Sequence, residues 1–118
     1  MKVTIVGSRG VHVNVADYVP EGTTEIITGG ARGIDTLAEQ YARLEGIPLR
    51  IFYPDTKALG KMAYFVRNDQ IVDASDVVVA IWDGKSRGTQ YTIRRAMKLD
   101  KPVKIHIIGL EKGPYAGD

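Results

Sequence analysis

The stretch Glu25-Ile26-Ile27-Thr28-Gly29-Gly30-Ala31-Arg32-Gly33-Ile34-Asp35 runs from a short apolar strand pattern through a glycine-rich turn into an amphipathic helix. A turn of this kind leaves backbone N–H groups bare at the positive end of a helix dipole, a place for a phosphate or another anion. Arg32 adds a fixed positive charge within it. The glycines also have a purely structural reading, since Gly29, Gly30 and Gly33 allow positive φ and close helix–strand packing without any ligand. No Gly-x-Gly-x-x-Gly is present, and no Gly-Lys-Ser/Thr closes a Walker A loop. Ordinary hydride-transfer dehydrogenases and P-loop NTPases therefore lose support.

Working outward, five apolar runs read as strands of a buried parallel sheet, at residues 3–6, 25–28, 49–53, 76–82 and 103–108. Helical patterns lie between them. Ile34, Leu37, Ala38, Tyr41 and Leu44 form an apolar stripe, with Gly46 as C′ residue and Pro48 preventing continuation. A second helix is expected over about 58–74 with Leu59, Met62, Ala63, Val66 and Val72 inside, and a third over about 89–99 with Ile93, Ala96 and Met97 inside. Asn14 caps a short helix through Tyr18, and the glycine- and charge-rich tail over 109–118 is expected to fray.

Alternating strands and helices predict an α/β three-layer sandwich around a five-stranded parallel Rossmann-like sheet of order 3-2-1-4-5. Ligands of such sheets bind beyond the carboxyl ends of the strands where the order reverses, here between the first and fourth strands. Gly7-Ser8-Arg9-Gly10 and Asp83-Gly84-Lys85-Ser86-Arg87-Gly88 follow those two strands. Arg9, Arg32, Lys85 and Arg87 thus share one rim, and Lys61 and Arg67 lie on the helix before the fourth strand. Such convergence points to a phosphate or carboxylate site rather than a merely solvated rim.

Gly88-Thr89 opens the third helix and has two readings, a grip on a second anion or ribose oxygen, and an ordinary cap. Asp35 either orients the turn, binds a ribose hydroxyl or complements the helix dipole. Tyr53 and Trp82 end strands at the ligand edge, where they flank a base or pack the rim. Tyr64 and Phe65 are expected to pack against the sheet. His12 and His106 lack metal spacing and are read as non-catalytic, so no metal is expected.

Taken together, these residues resemble the Smf/DprA–LOG (SLOG) superfamily, in particular its small YspA/YpsA-related branch. Gly7-Ser8-Arg9 is similar to that branch's opening motif, and Thr28 to Asp35 resembles the Gly-Gly-Ala-Arg-Gly-x-Asp signature shared with DNA-processing protein A. Tyr53-Pro54, Gly60-Lys61 and Arg67-Asn68 follow the branch's further pattern, and Gly88-Thr89 matches the end of the superfamily's binding loop. The resemblance covers about residues 2–108, read as one domain over 1–108. It implies a Rossmann-like fold that binds nucleotides or nucleotide derivatives. The implied ligand set is Gly7, Ser8 and Arg9 from the first strand end, then Gly29, Gly30, Arg32, Gly33 and Asp35 from the turn. Arg67, Asn68, Gly88 and Thr89 complete it.

Three functions follow from that superfamily, and a ligand-binding sensor leads. A Lonely Guy-like phosphoribohydrolase would carry Pro-Gly-Gly-x-Gly-Thr-x-x-Glu, but Thr92 stands where the catalytic glutamate belongs. Threonine offers no negative charge to an oxocarbenium-like state. Arg67 matches the family's catalytic arginine, and Asp83, Asp35 or Asp69 would have to substitute for the glutamate. A single-stranded nucleic-acid module ranks below the small-molecule reading, because such binding wants a long basic groove with stacking aromatics.

Composition sets the remaining bounds. The 118 residues fit one compact domain, with 44% hydrophobic and 25% charged residues and a net charge of +2. With no cysteine, disulfides and thiolate metal sites are excluded. No run reaches the ~20 apolar residues of a membrane span, and no signal-peptide pattern opens the chain, so a cytoplasmic location without a membrane partner is expected. No cofactor is required; a nucleotide or an ADP-ribose-like molecule fits as ligand, and a homodimer is an admissible assembly.

Overall fold

A computed structural model describes residues 1–109 of the chain. In chain order the elements are β1 (Lys2–Gly7), a 3-10 turn (Val15–Tyr18), β2 (Glu25–Thr28), α1 (Ile34–Glu45), β3 (Leu49–Ile51), α2 (Thr56–Leu59), α3 (Met62–Asp73), β4 (Val77–Trp82), α4 (Arg87–Lys98) and β5 (Val103–Ile107). The strands form one parallel sheet of order β3-β2-β1-β4-β5, as the alternating pattern predicts. The reversal of order falls between β1 and β4, whose register runs from Val3 opposite Val77 to Gly7 opposite Ile81.

Both faces of the sheet are covered, which is why its central strands read as continuous apolar runs. Val3, Ile5, Ile26, Val77, Val79 and Ile81 pack with Ile34, Ala38 and Ala42 of α1. Val6, Ile27, Val78 and Ala80 turn the other way, against Ile71 and Val72 of α3 and Ile93 and Ala96 of α4. Thr4, fully buried on this second side, donates its hydroxyl to the Ile71 carbonyl at 2.8 Å and ties β1 to the end of α3.

Several expected details are corrected. The helix expected over 58–74 is two helices. Asp55 caps α2 by accepting from the Ala58 N–H, and Gly60 ends it at φ 57°, ψ −133° before α3 begins. The buried side of α3 is Ala63, Asn68, Ile71 and Val72, while Leu59, Met62 and Val66 are exposed. At 100° per residue Met62 and Val66 lie off the arc of α3 that faces the sheet, and Leu59 belongs to α2. Leu44 is 82% exposed because Ile34, Ala38 and Ala42 carry the contact of α1, and Met97 sits at the rim of α4 outside Thr89, Thr92, Ile93 and Ala96. The third strand stops at Ile51, leaving Phe52 and Tyr53 beyond it. Gly46 ends α1 in the left-handed region, and Asn14 accepts from the Ala16 N–H at the start of the 3-10 turn, both as expected. The expected frayed tail, apart from Gly109, lies outside the described residues. Among them no helix is long and apolar enough to cross a membrane.

Candidate functional site

The carboxyl ends of β1 and β4 diverge at the strand-order reversal and open a cavity of about 430 Å³. Gly7, Arg9 and Gly10 line it from the end of β1, and Ala31 and Asp35 from the start of α1. Tyr64, Arg67 and Asn68 come from α3. Asp83 and Ser86 follow β4, and Gly88, Thr89 and Thr92 belong to α4. Its volume is in the range that takes a small organic ligand.

The glycine-rich turn is occupied from within. Asp35 Oδ2 accepts from the Gly29 N–H at 3.1 Å and from the Ala31 N–H at 3.3 Å, and Thr28 Oγ1 accepts from the Gly30 N–H at 3.2 Å. Three donors of the turn expected to be bare thus already serve side chains of the chain, the Asp35 carboxylate and the Thr28 hydroxyl. Burial pushes the Asp35 carboxyl above its ordinary value, opposed by the Ala31 and Gly29 N–H groups and by the charge of Arg67. The two glycines make room for side chains instead of phosphates. A Cβ on Gly29 would stand 2.8 Å from Arg67 Cδ, and one on Gly30 2.7 Å from the Tyr53 ring.

Gly33 gives α1 no side-chain cap, so both helices start on bare donors, but the helix whose glycine start lines the cavity is α4. Its N-cap, Ser86, makes no side-chain capping bond, and the Gly88 and Thr89 end faces the cavity. The loop before it is built by Asp83, whose Oδ1 accepts from the Lys85 N–H at 2.7 Å and the Ser86 N–H at 2.8 Å. Those two bonds hold the Asp83 carboxyl below its ordinary value, so it is ionised near neutral pH. The Asp83 N–H donates to Ser8 Oγ, and Trp82 Nε1 donates to the Ser86 carbonyl. Thr92, buried, donates its hydroxyl to the Gly88 carbonyl at 3.0 Å, so it secures the first turn of α4.

Arg67 is the cation that α3 aims into this space. Its Nε donates to Asn68 Oδ1 at 2.8 Å and its Nη1 to the Gly29 carbonyl, which fixes the guanidinium. The half-buried group has no carboxylate within 4.0 Å among the described residues. Burial lowers its pKa, the charge of Asp35 opposes that shift, and Arg9 across the cavity adds to it. Two like charges converging on one cavity call for an anion between them.

Of the residues expected to bind ligand, Gly7, Arg9, Asp35, Arg67, Asn68, Gly88 and Thr89 do line the cavity. Ser8 stands behind it, bonded to the Asp83 N–H, and the Gly33 backbone packs on that of Ser8 and Arg9. Gly29 and Gly30 lie under Arg67 and Tyr53, and Arg32 is exposed outside the cavity. Lys61, Lys85 and Arg87 are also exposed and line no part of it. The aromatic residue on its wall is Tyr64, not Tyr53 or Trp82. The expectation that Tyr64 and Phe65 pack on the sheet is corrected, since both are nearly half exposed and Phe65 stacks edge-on against Tyr91 of α4 at 5.0 Å. Asp83, a candidate carboxylate of the hydrolase reading, also lines the cavity. The overlooked lining carries two signals: Tyr64 stands one helical turn before Arg67, and Ser86 has with Asp83 the spacing of an aspartate-capped turn.

No family model matches the chain. Over 84 residues it is 37% identical to the Gene 61 protein of Mycobacterium phage D29, an alignment spanning 66% of this chain and 67% of that protein. Among solved structures, DNA processing protein A (DprA) from Streptococcus pneumoniae superposes with a TM-score of 0.69 at 26% identity, over 88% of this chain. The chain spans about half the length of that structure, 49% of it. The fold is that of the SLOG superfamily as DprA represents it, and the chain belongs to the family of the mycobacteriophage D29 Gene 61 protein.

Proposed function

We propose that this protein binds a nucleotide or nucleotide-derived small molecule in the cavity between β1 and β4 and serves as a ligand sensor. The observation that carries this reading is Arg67, a fixed, half-buried guanidinium with no carboxylate partner within 4.0 Å among the described residues, facing the same space as Arg9. A phosphate between these arginines and the Gly88–Thr89 end of α4 would pair both charges and accept from the bare N–H groups. Placement in the YspA/YpsA-related branch belongs to the same reading and rests on Gly7-Ser8-Arg9, Gly60-Lys61 and Arg67-Asn68.

A base-releasing hydrolase is the second reading, and Asp83 favours it. This ionised carboxylate lines the cavity that Arg67 enters and is placed to stabilise positive charge on a sugar ring. Thr92, committed to the Gly88 carbonyl, offers no substitute. Binding of nucleic acid draws support from the likeness to a protein named for DNA processing and ranks third.

A thermal-shift series with AMP, ADP-ribose, NAD and short single-stranded DNA tests the proposal. A nucleotide at a hundred times its Kd adds about 2.7 kcal/mol, a rise of roughly 10 °C in Tm. Arg9 is exposed and its side chain makes no hydrogen bond or ion pair among the described residues, so Arg9→Ala should keep the unliganded Tm and lose most of the rise. Stabilisation by DNA alone, fading with salt, would move the protein to the nucleic-acid class. An unchanged Tm with every compound would remove the proposed site.

A further inference from the structure

Tyr64 is the aromatic residue among those that line the cavity, and its surroundings set it apart from the other tyrosines near the site. Its side chain is 46% exposed, and its hydroxyl makes no hydrogen bond among the described residues. It stands one turn before Arg67 on α3, with the guanidinium carbon 5.9 Å from its ring centre. Phe65, its neighbour in sequence, is taken up by Tyr91, and Tyr53 leans on Gly30 outside the cavity. Apart from Val6 and Ala31, the rest of the wall is glycine and polar or charged side chains. A half-exposed ring at a cavity wall presents apolar surface that a second ring can cover, and its face suits another π system.

We infer that Tyr64 is the specificity-determining residue of the cavity, the platform on which the ligand's aromatic base stacks, so that the site takes nucleotides in preference to sugar phosphates. This rests on the phosphate-binding reading above and divides the ligand between two groups one helical turn apart. Arg67, with Arg9 and the start of α4, holds the phosphate; Tyr64 holds the ring. Stacking reads a π face rather than an edge, so Tyr64 discriminates the presence of a base and not its identity.

Calorimetric titrations of AMP and ribose 5-phosphate into the 118-residue protein test the inference, with Tyr64→Ala, Tyr64→Phe and Tyr53→Ala alongside. Base–aromatic stacking predicts that the unaltered protein binds AMP about tenfold more tightly than ribose 5-phosphate. Tyr64→Ala should lower AMP affinity about tenfold and leave ribose 5-phosphate within about twofold, bringing their ratio to about one. Tyr64→Phe and Tyr53→Ala should retain the preference. Equal affinity of the unaltered protein for both compounds overturns the role of Tyr64 while leaving the phosphate site standing, and needs no variant to fold. So does equal weakening of both compounds by Tyr64→Ala. Failure of both compounds to bind removes the phosphate site and the inference together.

Discussion

Asp35 and Asp83 are two carboxylates of one cavity whose surroundings push them in opposite directions. Asp35 is buried and raised; Asp83, braced by the Lys85 and Ser86 N–H groups, is lowered. The folded pKa of Asp83 lies below its unfolded value near 3.8, so its contribution to stability is fully present above that value and lost as pH falls through the folded pKa. The raised Asp35 has the opposite sign: its contribution is present below the unfolded value and lost as pH rises through its folded pKa. Replacing Asp83 by alanine should therefore destabilise the protein at neutral pH, and the gap should shrink steadily below about pH 3.8. Urea unfolding of both proteins across pH 2–7 reads this directly, and a gap that stays constant down to the lowest pH would show that the Asp83 bonds do not depend on its charge. The distinction between the two residues was not legible in the sequence. Asp35 is a first-turn carboxylate by its position, but that it fills the turn's own N–H groups depends on the path of residues 29–31.

At the scale of elements, the sequence pattern was most informative where burial is two-sided. Val77 to Ile81 alternates between two covered faces, so every position is apolar and the strand stands out. It was least informative over 56–73, where Leu59 of α2 and Met62 and Val66 of α3 have helical spacing yet are exposed, and the buried arc of α3 includes Asn68. The break before α3 does have a signal, Gly60-Lys61, because φ 57°, ψ −133° is a conformation that a Cβ strains. Gly60→Ala should cost about 1–3 kcal/mol, although nothing lies within 4 Å of the added Cβ. A lowered urea midpoint at unchanged slope would bear that out; an unaltered midpoint would mean that residues 56–61 rearrange without cost. Since α3 carries Tyr64, Arg67 and Asn68, the break also sets where the cavity wall begins.

At the scale of the whole molecule, the strand order decides where a ligand can sit. β1 and β4 are neighbours in the sheet while their crossovers leave on opposite sides, so the loops after them part and the start of α4 comes to face Arg9 and Arg67. That location was legible from the alternation of strands and helices. The grip within it was not, because the sequence offers two glycine-marked helix entries of similar appearance. Only the folded chain shows that Asp35 fills the Gly29 and Ala31 N–H groups of the turn before α1, while the Gly88–Thr89 start of α4 lines the cavity. The most direct test of this account is the ¹H–¹⁵N spectrum of the protein titrated with AMP. The largest shifts should fall on the Gly88 and Thr89 amides and the Arg67 Nε–H, with the Gly29 and Ala31 amides nearly still. Shifts centred on Gly29 to Arg32, or a spectrum unmoved by millimolar AMP, would contradict it.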